Sequence, residues 1–199
     1  MGVRLYFLRH GQTDSNKDRL FYGHTDTPLN ATGHKEAKRA AEALQHIQFC
    51  AAYTSPLARA KETAEAVSQA NDHPLQIIED PELKEIYFGL WEGMKAAEIE
   101  ARFDCEWRTY LENFNDFEFP DGDRVSDYYV AVKNAIENYL QKNKDGNILI
   151  VTHKGFICAA LSCFLHGDFE SIFKYDVDTG RSAVLDSCDG FYILKSLNA

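Results

Sequence analysis

An α/β fold with helices on both faces of a sheet is predicted by three features of this 199-residue chain. Short apolar runs alternate with segments of helical period, the pattern of strands joined through crossover helices. Residues 147–152 (NILIVT) form a continuous β-branched run, as a strand buried on both faces should. Two strands also finish alike. Leu8-Arg9-His10-Gly11 and Thr152-His153-Lys154-Gly155 each place a His and a Gly where a strand hands over to a helix.

In chain order, residues 3–9 (VRLYFLR) form the first strand, and Thr13, Asp14 or Ser15 caps a short helix after it. Residues 18–29 (DRLFYGHTDTPL) read as a loop, of the kind that commonly borders a site. Thr32 is the expected cap of a helix whose apolar positions Ala37, Ala40, Ala41, Leu44 and Ile47 recur at helical spacing. Residues 49–53 (FCAAY) make a second strand. Ser55 as N-cap and Pro56 at the first helical position then open a helix with Arg59 in its first turn.

A third strand is expected at 75–78. Residues 81–93 (PELKEIYFGLWEG) are irregular and aromatic, which suits a segment lying along a cleft. Residues 95–114 are helical with an interruption, and the stretch 95–119 is the candidate helical cover over a site. Pro and Gly mark a turn at 119–124. Residues 126–141 are an amphipathic helix with Tyr129, Val132, Ile136 and Leu140 on one side. The strand at 147–152 leads into an apolar helix over 156–165, and segments 182–186 and 191–196 flank Cys188-Asp189-Gly190 as a terminal hairpin.

Composition narrows the function classes. Hydrophobic residues at 45% and charged residues at 26% fit one globular domain spanning residues 1–199. A formal net charge of -10 argues against a nucleic-acid partner, which calls for a basic stripe. Five Cys form no CxxC pair and leave one unpaired by arithmetic, which fits reduced thiols in a cytoplasmic protein. No leader pattern and no apolar stretch of about 20 residues is present, so no membrane partner is expected. Composition does not fix the oligomeric state; a homodimer is the candidate assembly.

On the residues alone, the first Arg-His-Gly could be a core strand followed by a polar turn. Its repetition at the second strand end favours chemistry. If the two strands are neighbours, lying about 4.8 Å apart, the two imidazoles meet. Arg9 and Arg59 would stand at the same sheet edge. A metal site and a dianion site are both readings of two His with two Arg. The dianion reading is favoured, because Arg repels a divalent cation and its planar fork matches phosphate oxygens. No HExxH or Cys/His spacing supports a metal.

LRHGQTDSN, together with YGHTDTPLNATG, TSPLARAKETA, LKEIYFGLWEG and VTHKG in that order, resembles the histidine phosphatase superfamily, the phosphoglycerate-mutase-like proteins. The resemblance runs from residue 3 to about residue 165. It implies a three-layer α/β/α sandwich with a mixed, mainly parallel sheet, and a phosphohistidine mechanism with no cofactor and no metal. Carried over by position, it implies His10 as nucleophile. Arg9, Arg59 and His153 would hold the transferring phosphoryl group, Asn16 would contact it, and Glu85 would protonate the leaving oxygen. Gly23, His24 and Thr25 fall in the loop that borders the substrate pocket in this pattern. His34, His46, His73, His166 and Lys154 read as solvent-facing, and Trp91 and Glu92 as structural.

The implied partner is a small phosphorylated metabolite. The chain has no long insertion after the Glu85 segment, and it has RHGQTDSN and GHTD instead of mutase-like text, so a phosphatase is favoured over a mutase. LKEIYFGLWEG and the tail YDVDTGRSAVLD resemble the α-ribazole-5′-phosphate phosphatases of cobalamin biosynthesis. Arg124 and Cys158 depart from the pattern of many relatives at positions that bear on the substrate. The alternatives are a mutase or bisphosphatase acting on a sugar or glycerate phosphate, and a non-catalytic phosphate-binding protein.

Overall fold

Runs of Val, Ile, Leu and Phe supply the strands at the centre of the molecule, and helices cover them from two sides. The computed structural model describes residues 2–199. In order, the elements are β1 (Val3–Arg9), α1 (Asp14–Asp18), α2 (Ala31–Leu44), β2 (Phe49–Thr54), α3 (Ala58–Ala70) and β3 (Ile77–Glu79). They continue with α4 (Ala96–Arg102), α5 (Asp104–Glu112), α6 (Val125–Lys142), β4 (Gly146–Thr152), α7 (Lys154–His166), β5 (Ser182–Cys188) and β6 (Phe191–Leu197).

The strands form one sheet in the order β3-β2-β4-β1-β5-β6. The pairs β2–β3, β2–β4 and β1–β4 are parallel, while β1–β5 and β5–β6 are antiparallel. The sheet is therefore mixed and mainly parallel, as the resemblance implied. β4 lies inside it, and Ile148, Leu149, Ile150 and Val151 are all fully buried. Its unbroken apolar run has this cause, since both of its faces are covered.

Side chains alternate along a strand, so each strand feeds two cores. Leu5 and Phe7 of β1 join Val132 and Ile136 of α6 and Phe156 of α7. Leu8 joins Ala40 and Ala41 of α2 and Ala60, Ala64 and Val67 of α3 on the other side. The result is the three-layer α/β fold. Sheet register pairs Arg9 with Thr152, so the residues that follow β1 and β4 leave the sheet side by side.

Several local expectations are corrected. α2 starts at Ala31 and is capped by Asn30, not Thr32; the Asn30 carboxamide accepts from the N–H groups of Thr32 and Gly33. Asn caps at least as well as Thr, and the helix accordingly begins one residue after it. α3 starts at Ala58 rather than Pro56, and Ser55 is not its cap. Asp26, arriving from the preceding loop, accepts the Ala58 N–H at 2.7 Å in that role. The third strand is Ile77–Glu79, starting two residues and ending one residue later than expected. The interruption in 95–114 falls at Phe103, whose backbone (φ -132, ψ 46) is not helical.

Candidate active site

Both strand ends deliver their His into one place. The His10 and His153 rings lie 5.1 Å apart between centroids, and both residues are buried. Gly11 is required just after His10: a Cβ there would stand 2.4 Å from the carbonyl oxygen of Gly33, where α2 comes in.

The tautomers are fixed by what each nitrogen touches. His10 Nδ1 lies 2.7 Å from the Gly11 carbonyl, which can only accept, so Nδ1 carries the hydrogen and Nε2 keeps its lone pair. At His153 the pattern is reversed. Arg59 Nε donates to its Nδ1 at 3.3 Å, so the ring N–H is on Nε2 and donates to Ser55 Oγ at 2.9 Å. Burial, followed by the charges of Arg59 and Arg9, holds His10 well below the ordinary imidazole range. Burial, then Arg59 and His10, does the same for His153. Desolvation thus outweighs the neighbouring cations at both imidazoles.

A stability prediction arises here. An unfolded His titrates near ~6.5, whereas both folded imidazoles resist protonation. Below that pH the unfolded chain binds up to two more protons than the native one. Stability is thus present above it and lost as pH falls through it, at up to about 2.7 kcal/mol per pH unit from this pair. Urea midpoints at pH 7.5, 6.0 and 5.0 should fall accordingly, and His10→Asn should show about half of the pair's slope. Identical slopes in the two proteins would contradict the burial of a neutral His10.

Arg59 is fully buried in the first turn of α3. Its Nη1 donates to the Thr25 carbonyl at 2.9 Å and its Nη2 to the Gly23 carbonyl at 2.7 Å, with the guanidinium 4.6 Å over the Tyr22 ring. Each terminal nitrogen retains a second hydrogen. Arg9 Nη1 donates to the Val177 carbonyl at 2.6 Å, and its buried Nε has no partner among the described residues. Thr13 caps α1, and Asn16 Oδ1 accepts from the Thr13 N–H at 3.0 Å. The oxygen is occupied, which leaves the Asn16 amide NH2 for an anion.

Glu85 comes from the irregular aromatic segment and meets the start of α7. Its Oε2 accepts the Gly155 N–H at 3.0 Å. A Cβ on Gly155 would lie 2.3 Å from Glu85 Oε1, so this approach needs glycine. Arg9, His10, Asn16, Arg59, Glu85 and His153 line one cavity of about 610 Å³. Phe21, Phe88, Tyr110, Phe114, Phe119 and Tyr129 supply aromatic wall to the same cavity. A lone-pair nitrogen, two guanidinium groups, a carboxamide and a carboxyl group in one pocket can bind a phosphate and exchange its ester bond.

Gly23, His24 and Thr25 do not line this cavity. Their N–H groups donate to the Glu92 carboxylate at 2.7, 3.1 and 2.8 Å, and the Thr25 hydroxyl donates to it as well. Burial pushes Glu92 up, but the donors from Thr25, Gly23 and His24 more than reverse this and leave it below the ordinary carboxylate range. The loop so clamped offers the Gly23 and Thr25 carbonyls to Arg59. Its side chains are not the working part, and His24 stacks on Tyr87 instead. Glu92 is therefore structural, as expected, while Lys154 pairs with Asp176 at 2.6 Å. Ser55, Tyr22, Tyr128 and Tyr129 were missed as site residues; Ser55 was read as a helix cap, Tyr22 as part of the 18–29 loop, and Tyr129 by its helical period.

A family model described as histidine phosphatase superfamily (branch 1) matches residues 5–199. An adenosylcobalamin/alpha-ribazole phosphatase from Salmonella typhimurium is 30% identical over 197 residues, covering 99% of this chain and 96% of that protein. A 2,3-bisphosphoglycerate-dependent phosphoglycerate mutase from Gloeobacter violaceus is 31% identical over 181 residues, covering 87% of this chain and 81% of that one. The crystal structure of the alpha-ribazole phosphatase from Shigella flexneri matches with a TM-score of 0.91 at 28% identity, covering 98% of this chain and 96% of that one.

Proposed function

The chain belongs to the histidine phosphatase superfamily (branch 1) and is a phosphatase; on that premise we propose that its substrate is α-ribazole 5′-phosphate, hydrolysed through a phosphohistidine at His10. The observation that carries the substrate choice is the aromatic wall. A benzimidazole riboside offers a flat ring for such a surface, whereas a glycerate phosphate has none. The Tyr129 hydroxyl is buried in that wall with no partner among the described residues, so it is free to bond a substrate heteroatom. The relatives named as alpha-ribazole phosphatases support the same choice.

In this mechanism the lone pair of His10 Nε2 attacks phosphorus. The P–O bond to the ribose carbon's oxygen breaks as Glu85 gives that oxygen a proton. Arg9, Arg59 and the Asn16 amide stabilise the equatorial oxygens, where positioning and charge do most of the work of phosphoryl transfer. His153 accepts from Arg59 Nε and keeps the guanidinium aimed. Water then attacks phosphorus, Glu85 takes its proton, the P–N bond breaks, and inorganic phosphate leaves.

A second reading, a mutase or bisphosphatase, is favoured by Arg19 and Lys154, two further cations lining the cavity. A purely phosphate-binding role leaves the lone pair on His10 Nε2 and the placement of Glu85 unused. A screen with α-ribazole 5′-phosphate, 3-phosphoglycerate and fructose 2,6-bisphosphate separates these readings. We expect kcat/KM on α-ribazole 5′-phosphate to lead by about tenfold or more, the scale of discrimination that one good apolar pocket contact provides. A lead for either other ester, or turnover that requires a bisphosphate primer, would overturn the assignment.

A further inference from the structure

Glu85 must exist in two protonation states during one turnover, and most of its neighbours suit one of them. The N–H groups of Gly155 (3.0 Å) and Ile86 (3.3 Å) can only donate, so they favour the carboxylate. Tyr128, in the first turn of α6, is different. Its hydroxyl oxygen lies 3.2 Å from Glu85 Oε1 and 3.2 Å from the Lys84 carbonyl. One hydroxyl hydrogen cannot make a linear, full-strength bond to two acceptors at once.

We propose that Tyr128 is a positioning residue for Glu85, its O–H turning from the Lys84 carbonyl to the Glu85 carboxylate each time Glu85 gives up its proton. With Glu85 neutral, the Tyr128 hydrogen rests on the Lys84 carbonyl and leaves the carboxyl proton to the substrate. When that proton has moved to the leaving oxygen, the Tyr128 hydrogen swings to Oε1 and stabilises the new anion. As water gives its proton to Glu85 in the second half-reaction, the hydroxyl swings back. The Tyr128 proton never leaves its oxygen, so the proton balance of hydrolysis is unchanged. This inference rests on the reading of Glu85 as the acid and base.

The surroundings fit this role. Burial, with Glu85 next, pushes the Tyr128 phenol far above its usual range, so it remains a donor at all working pH values. Tyr22, Arg59 of α3, Tyr129 of α6 and Cys158 of α7 also feel the Glu85 charge. Burial raises Tyr22 and Tyr129 and pushes Cys158 up to about 12, so these three stay neutral. Arg59 is a fixed charge whose three protein hydrogen bonds go to His153, Gly23 and Thr25. Arg9, His10, His153 and Lys154 share the cavity without a hydrogen bond to Glu85 among the described residues. Among the described residues, Tyr128 is the one of these hydroxyls within hydrogen-bond distance of Glu85, and so the one that can follow its proton by rotating.

The test is Tyr128→Phe, which keeps the half-buried ring, compared with 3-fluorotyrosine installed at position 128 as a stronger donor. The pH profile of kcat on an alkyl ester, ribose 5-phosphate, is the readout. In Tyr128→Phe we expect kcat to fall about tenfold with KM within about twofold, and the limb that reports Glu85 to move up by about one pH unit. Fluorotyrosine should move the same limb down. A limb fixed in both variants overturns the inference, whatever happens to kcat. Glu85→Gln is measured alongside. If it hydrolyses ribose 5-phosphate as fast as the parent, the acid assignment fails and takes the inference with it. If it is impaired while the Tyr128 variants leave the limb in place, the role of Tyr128 alone is refuted.

Discussion

His10→Ala is expected to bring hydrolysis of p-nitrophenyl phosphate down to the level of solvent, a loss of about 10⁴-fold or more. In the proposed mechanism the attacking nitrogen is the one without a hydrogen bond, and no other described residue at the site offers an unprotonated nitrogen with a free lone pair. His153 cannot take over, since its Nδ1 receives Arg59 and its Nε2–H is given to Ser55. The fold should survive. The ring is small relative to the two cores, and its one protein hydrogen bond is to the neighbouring Gly11 carbonyl. Thermal melts should therefore stay within a few degrees of the parent while turnover disappears. Rapid quenching of the parent with labelled substrate should also trap an acid-labile, alkali-stable phosphoprotein that the variant lacks. Substantial turnover in the folded variant would refute the nucleophile.

Arg59→Ala should be damaging in two ways at once. It strips a donor from the buried Gly23 carbonyl, from the more exposed Thr25 carbonyl and from the buried His153 Nδ1, and leaves a space under Tyr22. Unpaired buried acceptors cost about 1–3 kcal/mol each, so a loss of about 3–5 kcal/mol in urea unfolding is expected, with kcat/KM down about 10³-fold. Arg59→Lys separates the two effects. A lysine can satisfy one carbonyl and recover part of the stability, but a single ammonium cannot span Gly23, Thr25 and His153 while also presenting two hydrogens to a phosphate. Near-parental kcat/KM in Arg59→Lys would show that only its charge matters.

What could be read in advance follows from where the information is stored. His10 and His153 were legible because each is a side chain at the end of a strongly patterned strand, and parallel neighbours bring such ends together. Asn16 and Glu85 were placed by resemblance, and both line the cavity. The loop of Gly23, His24 and Thr25 was assigned to the substrate pocket by resemblance. Its contribution lies in two carbonyls and three N–H groups, which every residue possesses and no sequence pattern marks. Tyr128 escaped notice for a similar reason. Helical period picked out Tyr129 as facing the core and said nothing of a hydroxyl meeting a carboxylate from residue 85. The caps of α2 and α3 were misplaced where several competent residues lay close together, or where the cap arrived from 32 residues away.

The pairing of β1 with β4 has a consequence for how the protein comes to be active. Val3 aligns with Gly146 and Arg9 with Thr152, so the two halves of the pocket come from segments far apart in the chain. Such contacts form slowly, because a long loop must close before anything is gained. Register is unforgiving as well. A slip of one residue would carry His10 about 3.3 Å past His153 and turn Leu5, Phe7 and Leu8 toward the wrong cores. A refolding chain can thus recover its helices, and even much of its compactness, while remaining inert. Return of turnover after dilution from denaturant is a clock for the moment when the first strand finds the fourth.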